Sequence, residues 1–198
     1  MPPITSLSQL DFTKTYTYAD YVAWKFDEFV ELIKGKLMRP MTGPSTQHQK
    51  LSQRLEYAIL TFLRTSPYEM FHAPFDVRPT RGTPNSDAQI QTVVQPDICV
   101  VCDAGKIDQR GCLGAPDWII EIVSPGNVGR DTKIKFDLYQ ESGVCEYWVL
   151  FPGEKTVLAY VLENERYELA GEYAAPGPMP SAVLPGLAVE WTDVFDGL

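Results

Sequence analysis

The sequence predicts an α/β protein: a mixed, twisted β-sheet with helices packed on it. Three observations carry that reading. Short β-type runs separated by tight-turn residues imply hairpins, one over 29–38 and another over 157–170. Residues 47–64 repeat apolar side chains at three- and four-residue intervals, as an amphipathic helix does. The apolar runs 118–123 and 147–150 are joined by a helix-like stretch, and such a crossover implies at least one parallel strand pair.

Residues 1–16 show no period and are expected to be a loosely tied terminus. Thr17 and Asp20 form an acidic variant of a capping box, predicting a helix that runs to about Glu28. A hairpin follows, with strands at 29–33 and 36–38 hinged at Lys34-Gly35, where glycine supplies the positive φ of a tight turn. After a turn-rich loop over 40–45, Ser45-Thr46 can cap the helix at 47–64, whose buried face is Leu51, Leu55, Ala58, Ile59 and Phe62.

Residues 70–73 and 75–77 read as strand broken at Pro74, and 79–87 as an open polar loop. The central stretch, 95–150, opens with Pro96-Asp97 ahead of a strand at 98–101. After a loop comes the strand at 118–123, stopped by Ser124-Pro125, then a helix carrying Asp131, Lys135 and Tyr139, and a strand at 147–150. Beyond it, 157–162 and 167–170 flank Glu163-Asn164-Glu165 as a hairpin. The proline-rich stretch 174–185 reads as a surface connection, followed by a short strand at 187–191 and a turn at 192–195.

At 198 residues and 44% hydrophobic content, the chain suits one domain with one core, 1–198. Within it, 95–150 is the chemically loaded core and 151–198 an acidic hairpin and tail. No apolar run reaches membrane-spanning length, and the first thirty residues carry acids where a signal peptide would be basic then apolar, so a soluble, cytoplasmic protein is expected. Cys99, Cys102, Cys112 and Cys145 are expected to be reduced thiols, because the CxxC of Cys99 and Cys102 lies inside an apolar strand where cysteine serves as a small hydrophobe.

The net charge of −9 is unevenly spread: from Asp137 onward eleven acids face two bases, while the first 136 residues balance. Residues 30–81 hold eight bases and four acids, so a nucleic acid would be expected to dock there.

Asp97 heads one apolar strand and Glu121 lies inside another, and buried carboxylates are costly unless something positive offsets them. If the two strands are neighbours, the acids can meet at one edge of the sheet, where a hard cation such as Mg²⁺ would hold them with waters and a backbone carbonyl. Positions 131, 135 and 139 each advance ~400° and so share a helix face within ~80° of one another. Lys133 lies ~200° from Lys135, so one of the two lysines points at the acids, and spacing leaves open which. Two carboxylates, a hard metal and a lysine suffice to hydrolyse a phosphodiester. No GxSxG, GxxxxGK[ST] or HExxH motif competes, and the chain has two histidines, His48 and His72.

Pro96-Asp97, then Glu121-Ile122-Val123-Ser124-Pro125, then Asp131, Lys135 and Tyr139, then Gly143-Val144-Cys145-Glu146-Tyr147-Trp148 form an ordered series that resembles the Uma-two family of endonucleases. That family is a branch of the restriction-endonuclease-like PD-(D/E)xK nucleases. The resemblance extends to Glu31-Leu32-Ile33-Lys34-Gly35, His48-Gln49 and Asp76-Val77, covering most of 18–152. It implies a restriction-endonuclease-like mixed central sheet flanked by helices, with the N-terminal helix and hairpin as additions.

The same resemblance implies Asp97 and Glu121 as metal-binding acids, with the Ile122 carbonyl as a third ligand. The orthodox motif places its lysine two residues after the glutamate, where this chain has Val123. The resemblance moves that lysine onto the following helix and selects Lys135. Glu31 either reaches the metal from the hairpin or faces water, and His48 either caps its helix or joins the site. Asp76, Tyr147 and Trp148 read as structural, and Tyr139 as core.

The expected function is Mg²⁺-dependent hydrolysis of DNA phosphodiester bonds, with Mn²⁺ as an alternative cofactor, no membrane partner, and a homodimer suited to cutting both strands. Two rival readings stand beside it. A nuclease fold retained for binding or assembly is favoured by Val123 and the acidic final third, whereas a metal-dependent phosphoesterase acting on a small nucleotide would suit the net charge.

Overall fold

The computed structural model describes residues 3–38, 43, 45–82, 84, 86–124 and 130–198, with Arg130 and Asp131 described in backbone only. In chain order its elements are α1 (Tyr18–Tyr21), β1 (Glu31–Ile33), β2 (Lys36–Met38), α2 (Thr46–Leu63), β3 (Glu69–His72), β4 (Val77–Arg78), β5 (Ile98–Val101), β6 (Ile107–Asp108), β7 (Gly111–Leu113) and β8 (Trp118–Ile122). They continue with α3 (Arg130–Ser142), β9 (Glu146–Phe151), β10 (Thr156–Glu163), β11 (Arg166–Tyr173), β12 (Pro178–Pro180), β13 (Ala188–Glu190) and α4 (Trp191–Phe195).

The main sheet has six strands in the order β11-β10-β9-β8-β5-β3. All neighbouring pairs are antiparallel except β8 with β9, the pair joined through α3. The crossover expected from sequence is therefore present, and the architecture is mixed α/β.

Alternation of side chains along the strands divides the core in two. Ile98, Val100, Trp118, Ile120, Ile122, Trp148 and Leu150 pack with Leu51, Leu55 and Ile59 of α2 and with α4 on one face. Cys99, Val101, Ile119, Tyr147 and Val149 pack with Leu138 and Tyr139 of α3 on the other. The central strands are apolar on both faces because helices cover both, as a buried parallel step requires.

A third cluster, with Leu7, Leu10, Tyr18, Leu32, Ile90 and Val93, binds the N-terminal arm and the β1–β2 hairpin to the sheet domain. The hairpin turns through Lys34 (φ 51°) and Gly35 (φ 77°), as its sequence implied. In α2, Ser45 accepts from the His48 amide, and both halves of the Thr17–Asp20 capping box are formed.

Several expectations are corrected. The N-terminal segment is packed, with Leu7 and Leu10 buried and the Lys36 amine donating to the carbonyls of Thr13 and Lys14. Helix α1 stops at Tyr21, and beyond it Trp24 packs tilted against Tyr21 at 5.5 Å and stacked on Phe26 at 5.6 Å. Phe62 is 38% exposed and Leu63 takes its place on the buried face.

The loop expected between β5 and β8 contains β6 and β7, which with β4 make a three-stranded sheet. The stretch expected as a surface connection contains β12, paired with β13, and buries Met179 and Leu184. All four cysteines are free thiols, with Cys99 and Cys112 buried. The turn at Ser124-Pro125 and most of the 40–45 loop fall on or beside residues outside those described. Among the described residues, no helix is long and apolar enough to cross a membrane.

Candidate active site

Strands β5 and β8 pair antiparallel with Ile98 opposite Ile120, so one step further Asp97 stands opposite Glu121. Because β8 alternates, Trp118, Ile120 and Ile122 take the α2 face, and Glu121 takes the face on which α3 packs. The two acids thus meet at one end of the sheet's central pair.

Helix α3 answers from above. Lys135 Nζ donates to Glu121 Oε1 at 2.8 Å and lies 3.3 Å from Glu31 Oε1, while Lys133 is exposed. One turn on, the Tyr139 hydroxyl donates to the same Glu121 Oε1 at 2.7 Å. Glu31, 7% exposed on β1, also accepts the Gln95 amide at 2.9 Å through Oε1. The hairpin therefore brings a third carboxylate to the amine.

Asp97 is held differently. Its Oδ2 accepts the Ile122 amide at 2.7 Å and faces His48 Nε2 at 3.1 Å. His48 sits in the first turn of α2, so a helix on the opposite face of the sheet reaches round its end to meet the acid. Among the described residues each acid uses a single oxygen for its side-chain hydrogen bonds, and nothing there donates to Asp97 Oδ1 or Glu121 Oε2.

Among the described side chains, three carboxylates, one ammonium and one imidazole leave the cluster short of positive charge. Burial pushes the Glu121 carboxyl up, Lys135 opposes this, and the charges of Asp97 and Glu31 add to it, leaving a value of about 7. Burial alone would lower Lys135, but Glu121 and Glu31 outweigh it and keep the amine charged. Burial would likewise lower His48, yet the hydrogen bond and charge of Asp97, with Glu121 and the Ile122 backbone, hold it above its ordinary value.

Residues around the site also carry buried side-chain atoms without partners. Of the five such atoms among the described residues, three are His48 Nδ1, Gln95 Oε1 and Tyr147 Oη. His48 touches Asp97, the Gln95 amide touches Glu31, and the Tyr147 ring packs on Tyr139 at 5.1 Å. Among the described residues no three His, Cys, Asp or Glu side chains close into a metal cage.

The structure brings Asp97, Glu121, Ile122, Lys135, Glu31 and His48 to one place. The side chain of Asp131, which could have paired with Lys135 along the helix, lies outside those described. Tyr139, read from sequence as core, is fully buried and also holds Glu121; its i+4 spacing from Lys135 was the available signal. Gln95 and Asp76 are linked by a 2.6 Å hydrogen bond behind Glu31, with Tyr21 donating to Asp76 at 3.3 Å, and nothing in the sequence marked that link.

The basic stretch 30–81 is not one open face. Lys34 pairs with Glu141 at 2.6 Å, Arg78 with Asp108 at 2.6 Å and Arg81 with Glu165 at 3.0 Å. Arg54 binds the carbonyls of Val194 and Asp196. Lys50 on α2 and Arg64 at its C-cap are exposed.

Comparison with known proteins gives the family and the fold. The model of the family Uma2, described as "Putative restriction endonuclease", matches residues 18–192. The match runs on through β12 and β13, past the 18–152 over which motifs were recognised. Among solved structures, a putative nuclease belonging to DUF820 from Anabaena variabilis superposes with a TM-score of 0.67 at 22% identity, covering 91% of this chain and 97% of that one. At that identity the likeness establishes the fold. Comparison with curated proteins found no match.

Proposed function

We propose, for a chain that belongs to the Uma2 family, that it is a divalent-metal-dependent endonuclease hydrolysing DNA phosphodiester bonds at the Asp97–Glu121–Lys135 site. The single observation that carries this is the placement of the Lys135 amine 2.8 Å from Glu121, which stands opposite Asp97 across the β5–β8 pair. Val123, in the place of the orthodox lysine, is partly buried against the core on the α3 face, so an amine from α3 does what that position does not.

Asp97 and Glu121 would hold the cation, Mg²⁺ or Mn²⁺, with the Ile122 carbonyl and water completing its shell. Three carboxylates against one ammonium, and a Glu121 carboxyl near 7, support the fit, because a divalent cation offsets that repulsion. When bound, such an ion polarises a phosphoryl oxygen and lowers the pKa of a water on it.

The remaining residues position and stabilise. The Lys135 ammonium, fixed between Glu121 and Glu31, orients the attacking water and offsets charge that develops on the phosphate. The Ile122 amide and the His48 imidazole fix Asp97 in one rotamer. Glu31 keeps Lys135 charged, and acts on the amine rather than on the reacting phosphate.

Incubating the protein with supercoiled and linear DNA in Mg²⁺ or Mn²⁺ tests the proposal. Asp97→Asn and Glu121→Gln are each expected to lower cleavage by ~10³-fold or more, on the scale at which a single pre-organised charge stabiliser contributes to a transition state. Cleavage that persists in both variants would overturn it.

A further inference from the structure

Helix α3 places two donors on one carboxylate oxygen. Lys135 Nζ and the Tyr139 hydroxyl meet Glu121 Oε1 at 2.8 and 2.7 Å. A lone ammonium beside a carboxylate can be shared between both oxygens, since its three protons rotate freely. A second, directional donor on the same oxygen removes that freedom. Tyr139 has little freedom of its own: it is fully buried, its ring stands edge-on to Tyr147 at 5.1 Å, and its helix is pinned to the sheet through Leu138.

We propose that Tyr139 is a positioning residue for the metal site: with Lys135 it saturates Glu121 Oε1 and thereby reserves Oε2 as the ligand oxygen. Asp97 follows the same rule, with the Ile122 amide and His48 both on Oδ2. Each acid thus has one oxygen assigned to the protein and one to the cation. Outer partners of this kind usually contribute 10- to 100-fold in metal affinity or activity.

The inference rests on the metal-binding reading, and the experiment separates their failures. Mn²⁺ binding is measured by calorimetry on the intact chain for wild type, Tyr139→Phe and Glu121→Gln, with DNA cleavage in parallel. Tyr139→Phe keeps the ring and deletes the donor. It is expected to weaken Mn²⁺ about tenfold and to lower kcat with the KM for DNA unchanged. Mn²⁺ affinity within twofold of wild type in folded Tyr139→Phe, while Glu121→Gln abolishes binding, overturns the inference and leaves the metal reading standing. Unchanged affinity in Glu121→Gln, or no binding by wild type, overturns both.

A measurement on the wild-type protein guards against a Tyr139→Phe variant that does not fold. With ¹³C-labelled tyrosine rings, the Tyr139 Cζ resonance is expected to shift along the same Mg²⁺ saturation curve as the heat of binding. A resonance that stays fixed while the metal binds overturns the inference.

Discussion

Two glutamates, one buried and one half-buried, stand on adjacent strands of the sheet and are held in opposite ways. Glu146, at the head of β9, is 1% exposed. Its Oε1 accepts the Trp148 indole N–H at 2.7 Å, and its Oε2 accepts the Ser181 hydroxyl at 2.7 Å and the Val183 amide at 2.9 Å. Both oxygens are filled by neutral, fixed donors. Glu121, on β8, has two donors on one oxygen, two other acids within electrostatic reach, and a carboxyl pushed up by burial and those acids. A buried carboxylate that only supports the fold is fully satisfied; one with an unfilled oxygen and like-charged neighbours has room for a ligand.

The comparison breaks most visibly at Glu146. Replacing it with alanine leaves three buried donors without an acceptor, and is expected to cost about 3–5 kcal/mol in urea denaturation, while the folded fraction keeps its Mn²⁺ affinity. Loss of metal binding in folded Glu146→Ala would mean that the two glutamates are not functionally distinct. At the other end of the sheet, Lys135→Met leaves Glu121 and Glu31 without their cation. It is expected to reduce DNA cleavage by about 10²-fold, close to 2.7 kcal/mol of barrier, in single-turnover assays.

Acidity sharpens the contrast further. A carboxyl whose folded value lies near 7 binds its proton more tightly in the folded state than in the unfolded chain. Its contribution to stability therefore falls as pH rises from about 4.5 to about 7 and levels off above that. In metal-free protein, Glu121→Gln removes this dependence, so its melting temperature relative to wild type should climb by about 3 °C or more between pH 5 and 8. A gap that is flat in pH would place the Glu121 proton outside that window.

The smallest effect belongs to a solvated pair. Lys34 and Glu141 touch at 2.6 Å but are 64% and 53% exposed, so Lys34→Ala should change stability by less than about 0.5 kcal/mol in the same denaturation experiment.

Much of the core was legible because its signals are local. The apolar runs of β5 and β8, the helical stripe of α2 and the i, i+4, i+8 face of α3 each declare themselves within a few residues. The convergence of Asp97 with Glu121 depended on strand register, which no local pattern carries; pairing of Ile98 with Ile120 supplied it. His48 reaches Asp97 across 49 residues of sequence and from the opposite face of the sheet, and no periodicity foretells that.

The elements that escaped notice, β6, β7 and β12, are two or three residues long, too short to show alternation, whereas the short strand expected at 187–191 is present as β13. Pro178 and Pro180 mask β12 further, since proline reads as loop even where an edge strand tolerates it. The basic excess over 30–81 is a statement about composition, which counts charges without recording that Lys34, Arg54, Arg78 and Arg81 have intramolecular partners.

Helix α3 ends on Gly143, whose φ of 88° lets its amide and that of Val144 both return to the Tyr139 carbonyl. The residue that grips Glu121 with its phenol is thus anchored through its own main chain by a glycine that touches neither acid. A random-mutagenesis screen for lost activity should consequently recover substitutions at Gly143, which would look in such a screen like a further catalytic position although no chemistry happens there.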